Sequence, residues 1–162
     1  MAAAIFPGTF DPVTAGHLDI IQRSLEIFDD VRVAVATHHE KREMFTIDER
    51  VEMMRAVTAN LSAITVMPSS GLLVDFARRQ GVVTVIRGLR VLSDFESEFQ
   101  MALMNRKLSD AVETLFFMPS EEHVCLSSTV VKEIAWLGGP VQGLVPELVA
   151  RRLEERIAAA RS

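Results

Sequence analysis

The chain has 162 residues, of which 49% are hydrophobic and 24% charged, the balance of an ordinary globular protein. A chain of this length is expected to fold as a single domain over residues 1–162 with a sizeable core. Its net charge of −5 argues against a nucleic-acid partner, which would require a basic face. The apolar run at residues 1–6 is too short to span a membrane and lacks a basic leader, so we expect a cytoplasmic protein with no membrane partner.

Five short runs rich in β-branched and apolar residues predict strands, each bounded by turn or helix signals. In chain order the predicted strands are residues 2–6, 31–37, 64–67, 82–86 and 114–118.

Helical patterns separate and follow these strands. The helices after the second and fourth strands open with capping boxes, Thr46 with Glu49 and Ser93 with Glu96, in which side chains satisfy free backbone N–H groups. Gly81 ends the helix after the third strand. The predicted helices cover an amphipathic stripe at residues 18–28, then residues 46–61, 72–80, 93–109, 129–137 and 146–160.

This alternation of strands and helices predicts a doubly wound α/β fold, with a five-stranded parallel sheet covered on both faces in a Rossmann-like arrangement. Such folds bind ligands beyond the carboxyl ends of their strands, at the point where the strand order reverses. The loops that follow the strands are therefore the predicted location of the functional residues.

Glycine, basic and hydroxyl residues are concentrated in those loops. Gly8 and Gly16 allow close approach of the backbone, and His17 falls near a helix N-terminus, whose N–H groups favour anions. His17 can act as a hydrogen-bond donor or, when protonated, as a cation. The segment matches neither a Walker A loop nor a Gly-x-Gly-x-x-Gly motif, but its features predict a site for a phosphate-bearing ligand.

The run Gly-Thr-Phe-Asp-Pro at residues 8–12, followed by Thr-Ala-Gly-His at residues 14–17, resembles the signature of the nucleotidyltransferase superfamily. The Thr-x-Gly-His form resembles the phosphopantetheine adenylyltransferase family in particular. The resemblance covers nearly the entire chain in order, through residues 44–46, 49–50, 87–90, 94–96, 104–106 and 127–133.

The resemblance implies transfer of the adenylyl group of ATP to 4′-phosphopantetheine, which gives dephospho-coenzyme A and pyrophosphate in the penultimate step of coenzyme A biosynthesis. The acceptor phosphate is already an anionic nucleophile, so direct in-line attack needs no covalent enzyme intermediate. Catalysis then reduces to positioning and electrostatic stabilisation, and no nucleophile–base–acid triad is evident in the sequence.

The resemblance also implies the site residues. The implied catalytic residues are His17, Lys41 and Arg90. The implied ATP-binding residues are Thr9, Phe10, His17, Gly88, Leu89, Arg90, Glu98, His123, Val124, Cys125, Leu126, Ser127, Ser128 and Thr129. The implied residues for the acceptor substrate are Thr9, Lys41, Leu73, Arg87 and Asn105.

Some of these assignments also rest on the residue types themselves. Two arginines flanking a glycine suit a phosphate clamp, because guanidinium groups grip phosphate bidentately. The three hydroxyl residues Ser127, Ser128 and Thr129 stand at a predicted helix N-terminus and exceed what a single cap uses. Lys132 either adds charge one turn further on or is a surface lysine.

By the same resemblance we expect Mg²⁺ to arrive with ATP, a homohexamer, and feedback inhibition by coenzyme A. No protein metal site is predicted, since His38 and His39 have no further ligand at suitable spacing. Cys125 is the single cysteine, which leaves no disulfide, and its apolar neighbours predict an inert buried thiol. The apolar region at Phe99, Met101 and Met104 fits either an interface or the core.

Two departures from the family pattern bear on substrate affinity. Ser97 stands where the family often has Tyr, and His123 replaces an aromatic Trp or Tyr before the last loop. Two other functions stay open at the level of sequence: a nucleotidyltransferase with another phosphate acceptor, such as nicotinamide mononucleotide or glycerol phosphate, and a non-catalytic nucleotide sensor on the same fold.

Overall fold

A computed structural model of the chain describes residues 1–37 and 42–162. Its centre is a sheet of five parallel strands in the order β3-β2-β1-β4-β5, so the predicted doubly wound α/β fold is confirmed. The strands are β1 (Ala3–Gly8), β2 (Asp30–Ala36), β3 (Ile64–Ser69), β4 (Thr84–Gly88) and β5 (Glu113–Phe117).

Helices follow each strand, and a short 3₁₀ helix at Glu121–His123 precedes the last two. The capping box of Thr46 and Glu49 is confirmed at the start of the second helix. In the part of the chain that the structure describes, no helix combines the length and the apolar character needed to cross a bilayer. The helices are α1 (Ala15–Leu25), α2 (Ile47–Val57), α3 (Leu73–Gln80), α4 (Leu92–Leu108), α5 (Ser128–Trp136) and α6 (Glu147–Arg161).

The predicted start of the fourth strand is wrong by two residues. Gly81 takes a left-handed conformation at φ +65°, and its N–H and that of Val82 donate to the carbonyls of Arg78 and Ala77, both at 3.1 Å. This Schellman motif assigns Val82 to the end of α3. As a result β4 begins only at Thr84.

The predicted capping box at the start of α4 is also wrong. The helix begins at Leu92 with Val91 as its N-cap residue, so Ser93 already lies within the first turn. The N–H of Asp94 donates to the carbonyl of Val91 at 3.0 Å, and the carboxylate of Asp94 pairs with Arg90. Local contacts of Asp94 with the two preceding residues Arg90 and Val91 therefore accompany an earlier helix start.

The core consists of two apolar clusters on opposite faces of the sheet, because successive strand residues point to opposite sides. Phe6 of β1 and Val33 of β2 belong to the larger cluster, which includes residues of α1, α2, α5 and α6. Ile5 and Ala34, their neighbours in the chain, belong to the smaller cluster with α3. With both faces covered, the sheet presents its carboxyl edge as the place where a ligand can bind.

α4 has an unusual distribution of side chains. Asp94, Glu98 and Asn105 lie on its less exposed side, with Asn105 only 8% exposed. Six of its large apolar side chains are exposed, so the region of Phe99, Met101 and Met104 is not core. The exposed apolar side chains of α4 are Phe95, Phe99, Met101, Leu103, Met104 and Leu108, and we call this set the α4 apolar face.

Candidate active site

A cleft lies beyond the carboxyl ends of β1 and β4, which are neighbours at the point where the strand order reverses. This is where a doubly wound sheet places its ligand. The structure brings twelve of the predicted site residues to this cleft. They are Thr9, Phe10, His17, Arg87, Gly88, Arg90, Glu98, His123, Leu126, Ser127, Ser128 and Thr129.

Other predicted residues do not line this cleft. Leu73 packs against the smaller core cluster, and Asn105 lies further along α4. The N–H of Leu89 donates a hydrogen bond to the carbonyl of Phe117 at 2.9 Å, which joins the ends of β4 and β5. Lys41, like the pair His38 and His39, lies outside the described residues. The further predicted residues that are absent from the cleft lining are Val124 and Cys125.

The prediction that Cys125 is buried is wrong, since its side chain is exposed. The turn between the 3₁₀ helix and α5 directs the next residue, Leu126, inward, where it is 8% exposed and packs against the larger core cluster. Apolar neighbours in the sequence were therefore a poor guide to burial in an irregular loop.

Phe10 shapes the floor of the cleft. Its backbone has φ 49°, a conformation that L-residues rarely adopt, and its ring is 2% exposed. The ring packs edge-on against Phe6, with centroids 5.3 Å apart, and against the imidazole of His17 at 4.9 Å. A Cβ at Gly8 would lie 2.8 Å from this ring. Phe10 thus supports His17, and Gly8 leaves room for Phe10.

His17 is oriented by a capping box at the start of α1. The N–H of Thr14 donates to Nδ1 of His17 at 3.0 Å, and the N–H of His17 donates to Oγ1 of Thr14 at 3.3 Å. Because Nδ1 accepts a hydrogen bond from the backbone, the neutral ring carries its proton on Nε2. Burial, together with the positive charges of Arg90 and then Arg87, lowers the pKa of His17 to about 3. Of the two roles predicted for His17, the structure favours the neutral hydrogen-bond donor.

Two arginines from the end of β4 and the following loop bring positive charge to the cleft. Arg87 donates to both carboxylate oxygens of Glu98 and to the carbonyl of Pro7. Arg90 donates to both oxygens of Asp94 and to a main-chain carbonyl of the last loop. Each guanidinium group therefore has a fixed orientation before any ligand binds.

The hydroxyl residues of the last loop have structural partners as well. Oγ of Ser127 accepts a hydrogen bond from the N–H of Val130 at 3.2 Å and caps α5. Oγ of Ser128 donates to the carbonyl of Pro12 at 2.7 Å, which ties the last loop to the first. Thr129 is exposed at the edge of the cleft. The N-terminus of α5 thus faces the cleft, where its N–H groups favour an anion.

Asp11 belongs to the glycine-rich motif, but the sequence alone gave it no role. Its carboxylate is 3% exposed and accepts the N–H groups of Met44 and Phe45 at 2.8 and 2.9 Å. The same carboxylate accepts Nζ of Lys132 at 2.8 Å. Lys132 lines the cleft and is 25% exposed, so of the two interpretations of this lysine the structure favours added charge. The position of Asp11 within the motif was the signal that could have drawn attention to it.

Arg50 is a second residue whose role was missed. Its side chain is 1% exposed and donates to the carbonyls of Thr9 and Ala36, both at 2.7 Å, and of Phe45 at 3.1 Å. It therefore joins the ends of β1 and β2 to the segment that precedes α2. A charged residue within an amphipathic helix gives no local signal of such burial.

Similar proteins show the family to which the chain belongs. The cytidylyltransferase-like family matches residues 5–134. A phosphopantetheine adenylyltransferase from Moorella thermoacetica is 52% identical over 96% of this chain and 98% of its own. One from Symbiobacterium thermophilum is 49% identical over 98% of both. The chain belongs to the phosphopantetheine adenylyltransferase family. As a member of the phosphopantetheine adenylyltransferase family, the protein is a nucleotidyltransferase enzyme.

A solved structure supports the fold independently. It is described as a putative nicotinate-nucleotide adenylyltransferase from Vibrio parahaemolyticus, and it superposes with a TM-score of 0.67 over 97% of this chain and 95% of its own. At 17% identity this likeness shows a shared fold alone.

The carboxylates of the cleft are already engaged by protein groups. Asp11, Asp94 and Glu98 each accept hydrogen bonds from a cationic side chain, and Glu43 lies 3.7 Å from Nη2 of Arg50. Over residues 1–37 and 42–162, no three His, Cys, Asp or Glu side chains are close enough together to hold a metal ion.

Proposed function

We propose that the protein transfers the adenylyl group of ATP to 4′-phosphopantetheine, which gives dephospho-coenzyme A and pyrophosphate in coenzyme A biosynthesis. The observation that carries this proposal is the convergence of His17, Arg87 and Arg90 on one cleft, in a chain whose relatives carry this activity in their names. Three fixed donors around one space suit a reaction in which negative charge is redistributed over phosphate oxygens.

His17 supports direct in-line attack without a covalent enzyme intermediate. With Nδ1 occupied by the N–H of Thr14 and a pKa of about 3, the ring is a poor base for activating a hydroxyl nucleophile. Its Nε2–H is instead suited to donate to an α-phosphate oxygen, where charge develops. One such donor is worth about 3 kcal/mol of transition-state stabilisation, by analogy with oxyanion-hole donors.

The remaining roles divide the cleft between the two substrates. We assign Arg90, Gly88 and the N-terminus of α5 to the nucleotide phosphates, and Arg87 to the acceptor phosphate. Bidentate guanidinium contacts suit both groups. The family assignment of Lys41 to the acceptor phosphate, and those of Leu73 and Asn105 to the pantetheine arm, stay predictions.

Mg²⁺ enters this proposal as the ion carried with ATP. Because the carboxylates of the cleft are already paired, phosphate oxygens and waters would hold the ion, which would supply charge neutralisation at the phosphates.

The α4 apolar face supports the proposed homohexamer, since exposed apolar patches mark interaction sites. Coenzyme A shares the pantetheine and adenosine moieties of the product, which supports feedback inhibition by binding of coenzyme A in the same cleft. The proposed location of the enzyme is the cytoplasm.

The test is pyrophosphate release from ATP by the purified protein, with and without 4′-phosphopantetheine. We expect release that depends on the acceptor and that falls by about 10²–10³ in His17→Ala, the cost of removing one oxyanion-type donor. Nicotinamide mononucleotide and glycerol phosphate serve as competing acceptors. If the folded protein binds ATP but releases pyrophosphate with none of these acceptors, the proposed activity is refuted and a non-catalytic nucleotide sensor is favoured.

A further inference from the structure

Arg87 and Arg90 are held in the same way, by carboxylates one turn apart on α4. Nε and Nη2 of Arg87 donate to the two oxygens of Glu98 at 2.6 and 2.5 Å. Nε and Nη2 of Arg90 donate to the two oxygens of Asp94 at 2.9 and 3.3 Å. The same edge of each guanidinium group is therefore taken by a carboxylate.

The third contact of each guanidinium group is also of the same kind in the two arginines. Nη1 of Arg87 donates to the carbonyl of Pro7, and Nη1 of Arg90 donates to the carbonyl of Leu126, both at 2.9 Å. Within the described part of the chain, each guanidinium group thus keeps one N–H on Nη1 and one on Nη2 for a ligand. Two N–H groups are what a phosphate uses in bidentate contact.

Burial separates these ion pairs from ordinary surface pairs. The arginine and the carboxylate are 34% and 16% exposed in the pair of Arg87 with Glu98, and 37% and 24% exposed in the pair of Arg90 with Asp94. In the surface pair of Arg78 and Asp75 on α3 the corresponding values are 69% and 44%. Exposed pairs contribute little and reorient freely, whereas partly buried bidentate pairs hold a planar guanidinium in one geometry. This also accounts for the polar inward side of α4.

We propose that Asp94 is a positioning residue that sets which edge of Arg90 meets the nucleotide phosphates, and that Glu98 does the same for Arg87 and the acceptor phosphate. This inference rests on the proposed function. Both oxygens of Glu98 accept hydrogen bonds from Arg87, so Glu98 acts on the acceptor phosphate through the arginine. Each carboxylate orients a cation and also offsets part of its charge.

These two effects have opposite consequences for binding and catalysis. Replacing Asp94 by Asn removes one negative charge beside the phosphate site, which strengthens ground-state attraction of ATP. The same replacement loosens Arg90, because an amide nitrogen cannot accept from the guanidinium. A misoriented Arg90 loses contacts in the transition state, where geometry matters most.

The experiment compares the full-length wild type with Asp94→Asn, Asp94→Glu and, as a matched control, Asp75→Asn. For Asp94→Asn we expect kcat to fall about tenfold, or about 1.4 kcal/mol, and KM for ATP to fall about threefold. Asp94→Glu restores most of kcat because it keeps the charge, and Asp75→Asn matches the wild type. Glu98→Gln is expected to lower kcat in the same way and to lower KM for the phosphate acceptor instead of KM for ATP.

Asp94→Asn with unchanged kcat would overturn the proposal. So would parallel loss of kcat and of the thermal midpoint in both Asp94→Asn and Asp94→Glu, since that pattern indicates a structural role alone. If the wild type itself releases no pyrophosphate, the proposed function fails. The positioning role of Asp94 is then tested by calorimetry, which compares the dissociation constant for ATP of Asp94→Asn with that of the wild type. An Asp94→Asn dissociation constant for ATP at least threefold lower than that of the wild type supports the role, and any smaller decrease, an unchanged value or a higher one overturns it.

Discussion

Asp11→Asn is expected to destabilise the fold far more than a surface substitution of the same kind. The carboxylate of Asp11 is buried and accepts two backbone N–H groups, from Met44 and Phe45, and the ammonium group of Lys132. An amide of the same shape keeps one acceptor oxygen and places an NH₂ group against the remaining donors. With the amide oxygen in the place of Oδ2, the N–H of Phe45 loses its acceptor, and in the place of Oδ1 the N–H of Met44 and Nζ of Lys132 lose theirs. In either orientation one buried backbone N–H is left without an acceptor and Lys132 loses the negative charge of its partner.

The magnitude follows from these contacts. A hydrogen bond to a charged group contributes about 1.5–3 kcal/mol, and a buried donor without a partner costs its full desolvation. The ammonium group of Lys132 is 25% exposed and can turn toward water, so its share is at the low end. We expect a loss of about 3 kcal/mol, which lowers the urea midpoint by about 1.5 M at a slope of about 2 kcal/mol per M.

The assay is equilibrium urea unfolding followed by circular dichroism. Asp75→Asn, which removes a carboxylate from the exposed pair with Arg78, is the matched control and should cost less than about 0.5 kcal/mol. A double-mutant cycle of Asp11→Asn with Lys132→Met isolates the ion pair, with an expected coupling of about 1 kcal/mol. A cost below about 1 kcal/mol for Asp11→Asn, with no coupling, would refute this account of the buried carboxylate.

Three further predictions concern His17, Gly8 and the α4 apolar face. The pKa of His17 in the folded protein is about 3 and lies below its usual 6.5, so the neutral ring contributes its full stability above pH 6.5 and this contribution is lost as the pH falls toward 3. The urea midpoint of His17→Ala should therefore depend less on pH over that range than the midpoint of the wild type. NMR of the ligand-free wild type at pH 5 should show an unprotonated Nδ1. Gly8→Ala places a methyl group 2.8 Å from the ring of Phe10 and should lower the free energy of unfolding, measured in urea, by about 1–3 kcal/mol. It should also reduce kcat by a larger factor than it changes KM, whereas wild-type stability and activity would contradict the packing argument. Phe99→Asp with Met101→Asp should shift the protein to monomers in analytical ultracentrifugation, and an unchanged sedimentation coefficient would contradict an interface on this face.

The local patterns of the chain were sufficient to predict the fold and the location of the site. Periods of two and of three to four residues mark strands and helices, and their alternation leads to a parallel sheet with one ligand-binding edge. The capping residue Thr46 and the stop at Gly81 were also readable, because both act on neighbouring backbone groups. The start of α4 was missed because its N-cap residue, Val91, makes no capping hydrogen bond through its side chain and so leaves no signal in the sequence.

The family signature likewise located the cleft residues, but it did not say how they are held. Ser127 and Ser128 were predicted as phosphate ligands, and the structure uses their hydroxyl groups to cap α5 and to bind the first loop. Cys125 was predicted to be buried and is exposed. In each case the partner, or its absence, depends on the path of an irregular loop, which leaves no periodic signal.

By itself, the sequence determined the α/β architecture, the membership in a nucleotidyltransferase family and the carboxyl edge of the sheet as the site. Only the tertiary structure decided the contacts of Asp11 and Arg50, the neutral state of His17 and the exposure of six large apolar side chains on α4. The physical reason is that these properties arise from side chains that meet across the fold. Asp11 and Lys132 are 121 positions apart in the chain, yet they share one hydrogen bond at the cleft.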